Sequence, residues 1–123
     1  MSYKASCHCR EISVEVKSTP EHVIQCNCSI CTKKGFLHWI VKKDQVRFIS
    51  GKESIRDYQF NTKTAHHYFC PTCGVSPLYI PRSHPDSYSV NFRCFDNFDE
   101  LSKTQKIVFF DGQNWESEVD KIK

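Results

Sequence analysis

The chain has 123 residues, 39% hydrophobic and 25% charged, with a formal net charge of +3. That length sets one domain with a core of ordinary size, and the composition is that of a soluble globular protein rather than a disordered or fibrous one. No run approaches the roughly 20 apolar residues of a membrane span, and the opening Met-Ser-Tyr-Lys-Ala-Ser-Cys lacks the apolar core of a secretory signal.

Nine Phe, five Tyr and two Trp among β-branched neighbours favour strands. Ile12, Val14 and Val16 alternate with Glu11, Ser13, Glu15 and Lys17, which predicts a half-buried strand directly after Cys7 and Cys9. A short strand is expected over 22–25 and an apolar one over 36–41. Residues 42–45 turn the chain into a strand over 46–50, and Gly51 separates it from a hairpin partner over 55–60. The stretch 65–69 leads into Cys70 to Gly74, and 78–80 leaves it before Pro81 stops pairing. Farther on, Tyr88, Val90, Phe92 and Cys94 share one strand face, with Ser89, Asn91 and Arg93 on the other. A last strand is expected over 106–110 before an Asp111-Gly112 turn; only 29–34 and 96–103 read as short helices. Many short strands between turn signals predict an all-β fold of the sandwich or barrel kind.

Seven of the eight cysteines fall in three groups: Cys7-His8-Cys9, Cys26-Asn27-Cys28-Ser29-Ile30-Cys31 and Cys70-Pro71-Thr72-Cys73. Cysteines so close in sequence are poorly placed to form disulfides with each other, whereas such pairs clasp a metal from one side. Reduced thiols of this kind belong in a cytoplasmic or nuclear compartment. A closed structural zinc site needs four ligands, and Cys7, Cys9, Cys70 and Cys73 supply them.

Cys26, Cys28 and Cys31 leave a second zinc ion one ligand short. Either a distant side chain closes that site, with Cys94, His22, His38, His66, His67 and His84 as candidates, or the fourth position stays open to water or a substrate thiol. The expectation is two zinc ions per chain, one structural and one at a candidate active site. No side chain stands out as a general base; His38 and the His66-His67 pair come nearest. Seven thiolates and two zinc ions bring the formal charge to zero. Because the basic residues are otherwise scattered, nucleic acid is not an expected partner.

The three motifs in this order, with Cys-Asn-Cys-Ser-Ile-Cys-Thr-Lys-Lys-Gly in the middle and Phe-Cys-Pro-Thr-Cys-Gly last, resemble the glutathione-dependent formaldehyde-activating enzyme family, in its centromere protein V branch. Ile80-Pro81-Arg82-Ser83-His84-Pro85, Cys94-Phe95-Asp96 and Gly112-Gln113-Asn114-Trp115-Glu116 extend the likeness to about residues 3 to 118. The resemblance implies an Mss4-like fold of twisted antiparallel sheets stapled by zinc knuckles, in a single zinc-binding domain over residues 1–123. It implies a structural ion on Cys7, Cys9, Cys70 and Cys73, and an active-site ion on Cys26, Cys28 and Cys31. The implied reaction joins a small thiol, glutathione, with formaldehyde into S-(hydroxymethyl)glutathione, which by its reverse is carbon–sulfur lyase chemistry. Where many members carry Gly after the first motif, this chain has Arg10.

The alternative reading is a non-catalytic, zinc-stapled module that holds a protein or nucleic-acid partner on an exposed sheet, since a scaffold does not dictate chemistry. An iron–thiolate electron carrier would need four closely matched thiolates around one iron. Whether the middle cluster keeps an open coordination position decides between enzyme and module.

Overall fold

The computed structural model describes residues 2–18 and 23–121, and among these ten strands form three sheets. Strand β1 (Tyr3–Ser6) runs up to the first cysteine pair, and β2 (Ser13–Val16) returns antiparallel to it with Tyr3 opposite Val16. The expected alternation appears here: Ile12, Val14 and Val16 are fully buried. Strand β5 (Val46–Ser50) pairs with the other edge of β2 and completes a three-stranded sheet in the order β1-β2-β5.

The second sheet contains β3 (Val23–Cys26), β4 (Leu37–Lys42), β8 (Leu78–Tyr79), β9 (Ser87–Asn91) and β10 (Ile107–Phe110), ordered β10-β3-β4-β9-β8. The expected strand over 22–25 is β3; His22 itself lies outside the described residues. Most pairs are antiparallel, but β10 lies parallel to β3 with Phe110 opposite Cys26. A parallel pair needs a long connection, here the chain between β3 and β10, and the parallel pairing sets the end of β10 beside the middle cysteines. Between β3 and β4 sits the helix α1 (Ser29–Lys34), as expected, closed by Gly35 at φ 65 with its N–H on the Cys31 carbonyl.

Several expectations fail. The segment after Gly51 does not pair with β5. Gly51 has φ 82, and its position is pressed so closely on the Glu11 carbonyl that a Cβ would stand 2.2 Å from that oxygen. A single 3-10 turn (Lys52–Ser54) then leads the chain away, and β6 (Arg56–Tyr58) pairs with β7 (His67–Phe69) instead.

The strand expected over 88–94 stops at Asn91, whose side-chain oxygen accepts from the Arg93 N–H and starts a 3-10 turn (Phe92–Cys94). Its polar face is also buried: Ser89 and Asn91 are enclosed because they bond inward, Ser89 to His38 and Asn91 to the Leu37 N–H and the Ser76 carbonyl. The helix expected over 96–103 shortens to α2 (Phe98–Leu101), and a third, α3 (Trp115–Glu118), follows β10.

Both larger sheets contribute to the main core, where Trp39 packs on Tyr3, Phe92 and Phe95 with ring centroids 4.6 to 6.0 Å apart. Each large apolar side chain buried there contributes about 1.5–3 kcal/mol. A smaller cluster of Ile24, Phe110 and Val119, flanked by Cys26, Ile40 and Trp115, packs beside the middle cysteines. Val23 and Ile24 thus bury opposite faces of one strand. Among the described residues, no helix is long and apolar enough to cross a membrane.

Candidate metal centres and the adjoining cavity

Cys7 follows β1 directly, and the chain turns back through Arg10 at φ 68, an uncommon conformation for a residue with a side chain. The turn is held by the Arg10 N–H on the Cys7 carbonyl and by the Ile12 N–H on Cys7 Sγ at 3.3 Å. Cys70 and Cys73 follow β7 in a second turn of the same kind. There the Thr72 N–H donates to Cys70 Sγ at 3.4 Å, and Gly74, at φ 79, donates to the Cys70 carbonyl.

The four sulfurs lie within 4.8 Å of one another, with Cys7–Cys9 at 3.7 Å and Cys9–Cys70 at 3.6 Å. A tetrahedron of 2.3 Å zinc–sulfur bonds spaces its sulfurs by about 3.8 Å. The group could hold a metal ion, and backbone N–H groups aimed at sulfur favour the thiolate form that binds it.

Cys26 ends β3 and Cys28 caps α1, its Sγ accepting from the Cys31 N–H at 3.4 Å while the Cys28 N–H donates to Cys26 Sγ at 3.5 Å. Cys31 lies in the first turn of α1, so all three sulfurs converge within 4.8 Å. Their proximity sets their proton affinities. Contact with Cys26 and Cys28 drives the Cys31 thiol far up, Cys28 chiefly pushes Cys26 to about 11, and Cys28, accepting from both, falls to about 2. Only one of the three readily sheds its proton without a counter-charge. A divalent cation supplies that charge, and three soft thiolates suit zinc.

Among the described residues, no fourth Cys, His, Asp or Glu ligand atom joins this group. Cys94 packs in the main core near the other cluster, its thiol 3.9 Å from the Ser76 carbonyl and raised to about 12 by burial and then by Cys7 and Cys73. His66 Nδ1 is 2.7 Å from the Asp57 carboxylate, and His84 Nδ1 is 2.8 Å from Ser83 Oγ. His38 and His67 stand in the wall of an adjoining cavity.

That cavity, about 420 Å³, is lined by the three cysteines together with Ile24, Ile40, Phe60, Tyr79, Phe110 and Trp115. Burial lowers the His38 and His67 imidazoles to about 4, so both are neutral at pH 7. His67 stacks on Tyr79 with centroids 4.9 Å apart and 11° between planes. Lys34 lies 5.0 Å over the Tyr79 ring; burial lowers it to about 8 against the pull of Cys31 and Cys28. Arg82, also in the wall, stacks 3.7 Å over Trp115 and bonds Glu116 at 2.7 Å.

The parallel β10 brings residues 110–113 against the middle cysteines. Asn27 ties this contact: its N–H donates to the Phe110 carbonyl, its side-chain amide to Asp111 at 3.0 Å, and its side-chain oxygen accepts from the Gln113 N–H. A family model described as glutathione-dependent formaldehyde-activating enzyme matches residues 2–111, which include every clustered cysteine. The chain belongs to the glutathione-dependent formaldehyde-activating enzyme family. Its fold is similar to the crystal structure of a Rhodobacter sphaeroides protein solved as a structural-genomics target, with a TM-score of 0.76 and 30% identity over 86% of this chain and 98% of that one.

Within this formaldehyde-activating-enzyme fold, the seven clustered cysteines come together as the two groups expected from their spacing. Of the suggested fourth ligands, Cys94, His38, His66, His67 and His84 do not join the middle group, and His22 lies outside the described residues. Three features of the site carried no assigned role in the sequence reading: Gly112, the Arg82–Trp115 pair, and the hydroxyls of Tyr79 and Ser89 at His38. The Asp111-Gly112 pair was legible as a turn, and nothing local says which cluster that turn meets.

Proposed function

We propose that this chain is a zinc-dependent carbon–sulfur lyase that adds a glutathione-like thiol to formaldehyde or a similar small aldehyde, and cleaves the adduct in reverse. The observation that carries this reading is the three-cysteine group, without a fourth ligand atom among the described residues, in the wall of a cavity of about 420 Å³. Cavities of roughly 300–1,000 Å³ are the usual size for small-molecule sites. The family to which the chain belongs supports glutathione and formaldehyde as the substrate classes.

Cys7, Cys9, Cys70 and Cys73 would hold a structural zinc ion, and Cys26, Cys28 and Cys31 a second. The second ion, when bound, supplies a free coordination position and the Lewis acidity that lets a sulfur lose its proton near neutral pH. Three thiolates leave this centre one unit negative, which favours a soft sulfur donor over activation of water. The neutral His38 and His67 do not offset that charge, and the apolar walls limit competing water. Arg82, steadied by Trp115 and Glu116, offers a guanidinium for a carboxylate of a peptide thiol.

The test is exchange NMR of ¹³C-formaldehyde with glutathione, since the adduct also forms without a catalyst. Zinc-replete protein should accelerate the exchange, and Cys28→Ser or Cys31→Ser should lower that acceleration at least about 100-fold. Exchange at the uncatalysed rate with two zinc ions bound contradicts the proposal.

A further inference from the structure

His38 stands in β4 with its ring in the cavity wall and only 3% of its surface exposed. Its Nδ1 lies 3.1 Å from Ser89 Oγ and 3.1 Å from the Tyr79 hydroxyl. Tyr79 is itself 8% exposed, and among the described residues its hydroxyl has His38 as its hydrogen-bond partner. A proton on Nδ1 would leave the Tyr79 O–H without an acceptor, at a cost of about 1–3 kcal/mol. Nδ1 therefore accepts, the ring is neutral, and its one proton sits on Nε2. That nitrogen is buried and, among the described residues, has no hydrogen-bond partner. A donor left bare on a residue that lines the same cavity as the three cysteines lacks the acceptor that buried N–H groups ordinarily have.

We propose that the Nε2–H of His38 bonds the aldehyde oxygen and stabilises the alkoxide that develops there, with Tyr79 as the positioning residue that fixes its tautomer. The assignment rests on the carbon–sulfur lyase reading. In the forward direction the thiolate sulfur gives an electron pair to the carbonyl carbon, forming the C–S bond. The C=O π pair moves onto oxygen, and His38 keeps its proton. The thiol proton has left to solvent, and the alkoxide takes its proton from water; the reverse reaction runs these steps backward. A neutral imidazole suits this task, because it polarises a carbonyl without itself pairing to the thiolates.

The experiment compares zinc-loaded wild type, His38→Leu, His38→Gln and Tyr79→Phe over the full chain. Glutamine keeps an N–H donor near the Nε2 position; leucine does not. Relative to wild type, kcat should fall about 100-fold in His38→Leu and within about tenfold in His38→Gln, with the glutathione KM unchanged. Long-range ¹H–¹⁵N spectra should show the Nε2–H tautomer in wild type and a mixture in Tyr79→Phe. An Nδ1–H tautomer in wild type, or an undiminished kcat in His38→Leu, overturns the assignment alone. If His38→Leu does not fold, the two tautomer spectra decide. A wild type that holds zinc but binds no thiol overturns the lyase reading, and this assignment with it.

Discussion

A Cβ at Gly112 would stand 2.4 Å from Cys26 Sγ and 2.8 Å from Cys28 Cβ, closer than side-chain atoms pack. Gly112→Ala must therefore push the Asp111 turn away from the cysteine loop and loosen the Asn27 contacts that tie them. Metal affinity at the three-cysteine group should fall about 10- to 100-fold while the four-cysteine group is unchanged, read by chelator competition. The buried histidines give a second prediction. His38 and His67 take up protons at about 6.5 when unfolded and only near 4 when folded. The unfolded chain binds more protons between those values, so their contribution to stability is full above pH 6.5 and is lost as pH falls toward 4. Imidazole ¹⁵N shifts should show both rings neutral at pH 5.5; protonation midpoints above 6 would contradict the burial argument. At this scale the cysteines were legible because clasp spacing is written locally in the chain. Gly112 was not, since its crowding arises only once β10 pairs with β3.

Strands whose burial pattern follows their own sequence were legible, as with Val14 and Val16 in β2 and the run that forms β4. Pairing between distant strands was not. The β5–β6 hairpin fails because Gly51 presses on Glu11, an interaction that no local propensity encodes. The polar face of β9 reads as solvent-facing from its alternation, yet Ser89 is turned to His38 and Asn91 to Leu37 and Ser76. The elements also divide the two cysteine groups by consequence. Cys70 follows β7 and meets the end of β1, so a metal there joins the three-stranded sheet to the β6–β7 hairpin. Cys28 belongs to the single loop between β3 and α1. Cys70→Ser should lower Tm by more than about 10 °C, and Cys28→Ser by only a few degrees. Melts showing equal losses, or a larger loss for Cys28→Ser, would overturn that division.

Across the whole molecule, one cysteine group brings sheet and hairpin together at four sulfurs that could hold a metal ion, and the other stands beside a cavity lined in part by the parallel β10 and its following turn. Family membership suggests glutathione- and formaldehyde-related activity, and the proposed function sets it at the three-cysteine group. The central claim is that zinc on Cys26, Cys28 and Cys31 keeps its fourth position for a substrate sulfur. Zinc-edge X-ray absorption of the zinc-replete protein, before and after glutathione, tests it most directly. The predicted result is a light-atom scatterer in the resting spectrum that disappears as the mean sulfur count per zinc rises. An all-sulfur sphere at rest, or a sphere that does not change with glutathione, would contradict it.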